Sequence, residues 1–448
     1  MTITRRDSLA LGAAVMGASS IPLIGARAAV DDVPVANVKP LEYKIEKGAS
    51  LHILRPAKFI EPDELFWKAN TKKFIETTGI DVKVDFVSWE DLRPQLAVVA
   101  NTGAGADVVI SFGSDPHIYS EKLIDLTDLA DYLGAKYGGW YDVAQLYGRK
   151  WGSKNWIGIP IGGGTGPVVY RKSWVNEAGY DKIPNDLDGF LALCQKLQKA
   201  GHPWGMSLGH ALGDANGYSE WLLWTHNAFV VDEKGKVALD SKETIAALKY
   251  ATELQKTMIQ GTLTWNDVGN NQAYAAGQIG LTFNGVSLYY VLLKSPDAKL
   301  NAIAADTQHQ DTPFGFSKAK PQSAAPMNAM VFKHSKYPNA AKEYLRFMME
   351  AEQYGPWLSN CLGYWCQSLK AYSHMKFWGS DPKLKPFSAA LDSIYYDGYK
   401  GPISAASAAV IANYTVVDMF ASVVSGNATP EAAAKQAARQ AQRYYKNA

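Results

Sequence analysis

The chain holds many side chains able to do chemistry and few arranged for covalent chemistry. Its eight His are scattered without metal-ligand spacing, and no His-Glu-x-x-His occurs. Gly205-Met-Ser-Leu-Gly209 has the Gly-x-Ser-x-Gly spacing, but no strand is expected just before it and no helix just after it, as a nucleophile turn needs. Glycoside hydrolysis needs two carboxylates roughly 5–9.5 Å apart across one bond, and no local motif selects a pair among the 43 acidic residues. Gly162-Gly-Gly-Thr-Gly-Pro167 could be a phosphate loop or a bend. It lacks the Lys-Ser/Thr of a Walker motif and precedes a strand, so it reads as a bend or hinge. Three Cys cannot build a four-Cys zinc site. Cys361 and Cys366 are close enough for a local disulfide, with two buried thiols as the alternative, and Cys194 sits at helical apolar spacing. No metal or cofactor is expected. Aromatic rings are the abundant resource, with 13 Trp, 24 Tyr and 15 Phe.

The 448 residues suggest two or three domains. Apolar residues at 47% and charged residues at 20% describe a globular chain. A net charge of +2 gives no bulk drive toward nucleic acid or anionic membrane. The first 29 residues read as an export signal. Arg5 and Arg6 form a twin-Arg pair, an uncharged stretch runs from Ser8 to Ala26, and Ala26-Arg27-Ala28 is a small-residue cleavage site. Gly12, Gly17, Pro22 and Gly25 make the stretch a poor membrane anchor. A twin-arginine route and a general secretion route would leave the same mature chain, close to neutral. No later stretch repeats an uncharged apolar run of that length, so a soluble periplasmic protein is expected.

The body alternates strands and helices. Residues 50–55 read as a strand, a helix runs from Pro62 to a stop at Gly79, and 80–87 alternates as a half-buried strand. A helix from Trp89 to Asn101 and an apolar strand at 107–111 complete a βαβαβ order, which predicts a parallel α/β sheet. Strands are also expected at 157–161, 168–170, 277–285 and 327–332. Helices are expected at 187–200, 241–259, 339–350 and 432–445, the last opened by Thr429-Pro430-Glu431.

Four stretches carry a family resemblance. They are Ala97-Val-Val-Ala-Asn-Thr-Gly-Ala-Gly-Ala-Asp-Val-Val-Ile, Ile159-Pro-Ile-Gly with Val168-Val-Tyr-Arg-Lys, Ala275-Ala-Gly-Gln-Ile-Gly-Leu-Thr-Phe-Asn-Gly, and Pro338-Asn-Ala-Ala-Lys-Glu-Tyr-Leu-Arg-Phe-Met. In order and spacing they resemble the extracellular solute-binding proteins of ABC importers, in the carbohydrate-binding branch that includes maltose-binding protein. Ala106 stands where that family usually has Pro, and the Gly cluster stands where it often has an acid. The resemblance implies an α/β, two-lobed periplasmic binding protein fold with a ligand cleft between lobes hinged by crossing segments. It places crossings near Gly162–Gly166, Ser317–Ala325 and Leu369–Tyr372. The expected lobes are 30–162 with 323–369, and 163–322 with 370–448.

A sugar site needs flat aromatics for C–H faces and polar groups for hydroxyls. By the resemblance, loops after the first-lobe strands offer Arg55, Lys58, Phe59, Trp89, Glu90, Phe112, Ser114, Asp115 and His117. The first crossing offers Gly164 and Thr165. Tyr218, Trp221, Asn284 and Ser287 are expected from the second lobe, and Asn328 and Trp365 from near the return crossings. Each has a plainer role available: Trp221 and Trp224 could be core, and Asp115 could cap a helix. The implied function is a monomeric, non-enzymatic receptor that hands a carbohydrate to the transmembrane subunits of an ABC permease. The alternatives are a receptor for a polyamine-like solute and a secreted glycoside-acting enzyme.

Overall fold

The computed structural model describes residues 32–164, 166–388 and 390–446. The export segment at 1–29 and Thr165 lie outside the described residues.

The βαβαβ order is observed. Strand β1 (Ser50–Pro56) leads into the helix Glu61–Thr78, which stops at Gly79 with φ 71°. A left-handed residue closes a helix at least cost when it is Gly. Strand β2 (Asp81–Val87) and the helix Trp89–Thr102 follow; Ser88 caps the helix by accepting from the Asp91 N–H. Strand β3 is Val108–Ser111. β1 pairs in parallel with both β2 and β3.

β4 (Ile159–Gly163) ends this first passage, and the chain crosses to β5 (Val168–Arg171). β5 is the middle of a second sheet, antiparallel to β6 (Leu281–Phe283) and to β7 (Thr307–Gln310). β6 is shorter than the predicted 277–285, because the helix Gly269–Ala275 and its following turn occupy the approach. The chain then returns as β8 (Pro326–Val331), inserted antiparallel between β3 and β4. The sheets run β2-β1-β3-β8-β4 and β6-β5-β7.

A third passage follows Leu369, which still bridges to Trp140 beside the first sheet. By Asp381 the chain has reached the second-sheet side, where its carboxylate accepts from Tyr289 Oη at 2.6 Å. One core gathers Ile53, Val108, Leu129, Met330 and Tyr344 beneath the first sheet. A second gathers Val168, Phe190, Trp204, Leu248, Phe420 and Ala437. Cys194 belongs to the second core, as its helical spacing implied.

Ala405–Val424 has the length and apolar composition of a membrane span. It is folded as two helices, Ala405–Ala412 and Thr415–Val424, broken at Tyr414 with φ 53°. More than half of its apolar window is buried inside the protein.

Candidate functional site

A cavity of about 250 Å³ lies where the two sheets face each other and the crossings pass. Its first-sheet wall is aromatic: Phe59, Trp89, Phe112, Tyr364 and Trp365. Trp89 packs on Phe59 and Phe112 with centroids 5.0 and 5.3 Å away. The facing wall comes from the helix Asp214–Trp224 and β6. Tyr218 and Trp221 lie 16° from parallel, and Phe283 packs edge-on to Trp221 at 5.0 Å. Trp221 Nε1 donates to Pro313 O at 2.9 Å, which ties this wall to the second crossing.

The expected site residues separate into groups. Trp89, Gly164, Tyr218 and Trp221 line the cavity. Asn284, Ser287 and Trp365 line it as well. Ser114, Asp115 and Asn328 stand behind the wall as supports. Asp115 accepts Arg93 Nε at 3.0 and 3.3 Å and Ser111 Oγ at 2.6 Å. Its helix-cap role is displaced by that ion pair. Ser114 Oγ donates to Asp397 at 2.5 Å, and Asn328 Nδ2 donates to Gly113 O at 2.7 Å. Lys58 is exposed and pairs with Glu61 at 2.5 Å, away from the wall. Among the flanking candidates, Arg55 is buried against Asp63, and His117 is buried and pushed down to about 4 by loss of solvent. Glu90 accepts from Asn266 Nδ2 at 3.4 Å, a contact between the two halves.

Several polar wall residues carry no local sequence signal. Arg93 reaches the cavity from the second turn of its helix, with its guanidinium 4.8 Å from the Phe112 ring centre. Asp214, Glu220, Asp267 and Asp397 also line the cavity. Asp267 accepts backbone N–H groups from Leu212, Gly213 and Asp214 at 2.9, 3.0 and 2.8 Å. Burial raises the Asp214 carboxyl well above the usual range, and the neighbouring Asp267 charge adds to it. Burial likewise raises Asp267, against the pull of those backbone donors. Glu220 is raised by burial and then by the Asp397 charge. Asp397 is raised by burial, opposed by its bonds from Ser114 and Tyr147. Glu220 and Asp397 are 177 positions apart in sequence terms only as a tertiary pair can be, one on a helix and one in the stretch before the C-terminal helices. An Arg, aromatic rings and carboxyls around one dry cavity can grip a polyhydroxylated or charged organic solute.

Residues 69–386 match the family described as bacterial extracellular solute-binding protein. This chain belongs to that family. The solute-binding protein is 22% identical over 293 residues to YcjN of Escherichia coli, which is named for an ABC transporter periplasmic-binding role; the match covers 63% of this chain and 64% of that one. It is 24% identical over 220 residues to the erythritol/L-threitol-binding protein of Mycolicibacterium smegmatis, covering 44% and 45%. Each match spans less than two thirds of the relative's length. Among solved structures, maltose-bound MalE3 of T. maritima superposes with a TM-score of 0.74 at 18% identity, covering 88% of this chain and 99% of that one. That likeness gives the solute-binding protein the two-lobed fold expected from its sequence.

Proposed function

We propose that this chain is the exported receptor of an ABC importer, and that it captures a carbohydrate or sugar alcohol between its lobes and releases it unaltered. The observation that carries the reading is the cavity itself, with flat aromatic walls from both sheets and hydrogen-bonding groups between them. Aromatic faces suit sugar C–H surfaces, and Arg93, Asn271, Asn284 and Ser287 suit hydroxyls. The relatives' printed ligands, erythritol or threitol and maltose, belong to the same chemical class. Lobes 30–162 with 323–369, and 163–322 with 370–448, close on the solute by a hinge at the crossings. The closed monomer then docks on the permease subunits. Residues 1–29 serve as a cleaved signal of the twin-arginine type, which delivers the mature chain to the periplasm.

The test is thermal unfolding of the mature chain against sugars, polyols, sugar acids, amino acids and polyamines. A solute at about 100 times its Kd stabilises the native state by about 2.7 kcal/mol. A rise in Tm with one sugar class, and recovery of that compound intact, is the expected result. Turnover of the compound, or a rise with amino acids or polyamines alone, would sink the reading.

A further inference from the structure

Glu220 and Asp397 bring two carboxyl groups to one cavity from opposite sides. Glu220 projects from the helix Asp214–Trp224, on the second-sheet side, and is 4% exposed. It accepts no hydrogen bond from any described residue, although it lines the cavity. Asp397 is 5% exposed and is anchored to the first-sheet side. Its oxygens accept Ser114 Oγ at 2.5 Å and Tyr147 Oη at 2.8 Å. Tyr147 Oη also accepts the Asp397 backbone N–H at 2.9 Å, so the carboxylate cannot swing away.

The rest of the wall does not balance this charge. Arg93 is the one basic side chain among the described lining residues. Its Nε is committed to both oxygens of Asp115 and its charge also favours the ionised form of Asp397, which leaves Glu220 as the carboxyl with no basic neighbour acting on it. Asp267 is satisfied by backbone donors, and Asp214 keeps a buried oxygen, Oδ2, without a partner among the described residues. No three acidic, histidine or cysteine side chains among the described residues converge as a metal-ligand set. A buried carboxylate without a counter-charge is strongly unfavourable, and a fully desolvated pair of them more so.

We propose that the solute carries a protonated amino group held between Glu220 and Asp397, so that this receptor takes an amino sugar or amino polyol in preference to its neutral counterpart. This rests on the carbohydrate reading above and narrows it. An ammonium offers three donors and one positive charge. It gives Glu220 the partner it lacks and favours the ionised form of that carboxyl beside Asp397. Both carboxyls belong by chain to the second lobe, and Asp397 is held by Ser114 and Tyr147 of the first, so the cation would sit where the two lobes meet. A hydroxyl in that place donates one hydrogen bond and brings no positive charge to the pair. The aromatic walls remain available for the ring or chain of the solute.

The test is a set of matched pairs titrated by calorimetry into the mature protein. They are D-glucosamine with D-glucose, D-galactosamine with D-galactose, and 1-amino-1-deoxy-D-glucitol with D-glucitol, with putrescine as a cation lacking hydroxyls. At least one amino member is expected to bind ten-fold or more tightly than its neutral twin. Glu220→Gln is nearly isosteric and should abolish that preference; Asp397→Asn should do the same if Glu220→Gln fails to fold. A neutral member binding as tightly as its amino twin overturns the proposal and leaves the carbohydrate receptor standing. Binding of putrescine alone overturns both. A preference for the amino member that survives in both variants overturns the assignment to this pair.

Discussion

The indoles of Trp89 and Trp365 lie 12° from parallel with ring centroids 5.9 Å apart, and each spends its N–H away from the cavity. Trp89 Nε1 donates to Ala57 O at 2.8 Å, and Trp365 Nε1 donates to Asp63 Oδ1 at 3.1 Å. Both rings line the cavity while their N–H edges are pinned to the first lobe. A pinned ring loses little freedom when a solute arrives, which favours affinity.

Trp365→Ala should therefore do two things. It removes a cavity wall, so binding of the stabilising solute should weaken ten-fold or more. It also empties a site only 7% exposed, which should cost about 3 kcal/mol of stability. The bond to Asp63 is why the variant touches stability as well as binding. Calorimetry and urea unfolding separate the two effects; unchanged affinity would remove Trp365 from the site.

Asp63 is the post to which this wall is tied. Its Oδ2 accepts Arg55 Nη2 at 2.6 Å, and its Oδ1 accepts Trp357 Nε1 at 3.0 Å as well as Trp365. Asp63→Ala leaves a buried guanidinium without its counter-charge and two indole N–H groups without an acceptor. A loss of about 3–5 kcal/mol is expected in urea unfolding. A midpoint within error of the parent would contradict this account.

Glu220 predicts a pH signature in the empty protein. Its folded carboxyl titrates above the ordinary glutamate value because burial and Asp397 disfavour its charge. As pH rises past about 4.3, the unfolded chain loses this proton while the folded protein retains it, so stability falls with pH. Glu220→Gln removes that penalty. The solute-free variant should unfold later than the parent at neutral pH, by on the order of 1 kcal/mol. The gain should vanish below about pH 4. Equal stability at both pH values would show that Glu220 is not strained by its surroundings.

The first crossing is glycine-rich because other chain passes over it closely. A Cβ on Gly163 would stand 2.6 Å from Leu391 Cδ2 and 3.1 Å from Ala324 O. At Gly164 the nearest atom would be 3.9 Å away. Gly163→Ala should cost about 1–3 kcal/mol through overpacking, and Gly164→Ala should stay within about 0.5 kcal/mol. Thermal unfolding of the two variants checks the contrast, and equal losses would refute it.

All three cysteines are buried and no disulfide is formed among the described residues, Cys361 and Cys366 included, which spacing alone left open as a bridge. Burial pushes the Cys361 thiol up, so little thiolate is available to react. Ellman's reagent should find almost no thiol in the native protein and three after denaturation without reductant. Only one would mean a Cys361–Cys366 disulfide.

Much of the architecture was legible because each piece announces itself locally. Alternation marked β2, an unbroken apolar run marked β3, and Gly79 and Thr429 marked helix ends. The aromatic part of the wall was legible for a similar reason: rings placed just after strand ends have few other places to go. Trp221 faces the cavity, while Trp224, three residues on, stacks on Tyr395 at 4.7 Å in the interior. The polar part was not legible. Arg93 looks like an ordinary helix residue until Asp115 is seen behind it. Glu220 and Asp397 meet only once both lobes and the crossings are assembled. Ser114 and Asn328 have the chemistry of ligand contacts but spend it on Asp397 and Gly113.

The position of β8 has a consequence for how the protein is made. Ser111 of β3 and Pro160 of β4 both pair with Asn328, so the first sheet stays in two pieces until residues 326–331 exist. A nascent chain that has finished β4 carries two unsatisfied strand edges while the whole second lobe is still to be synthesised. Such distant pairing is slow to form and exposed to aggregation while it waits. The first lobe is then not an independent folding unit on the ribosome, and its sheet closes only as a late event after residues 326–331 emerge.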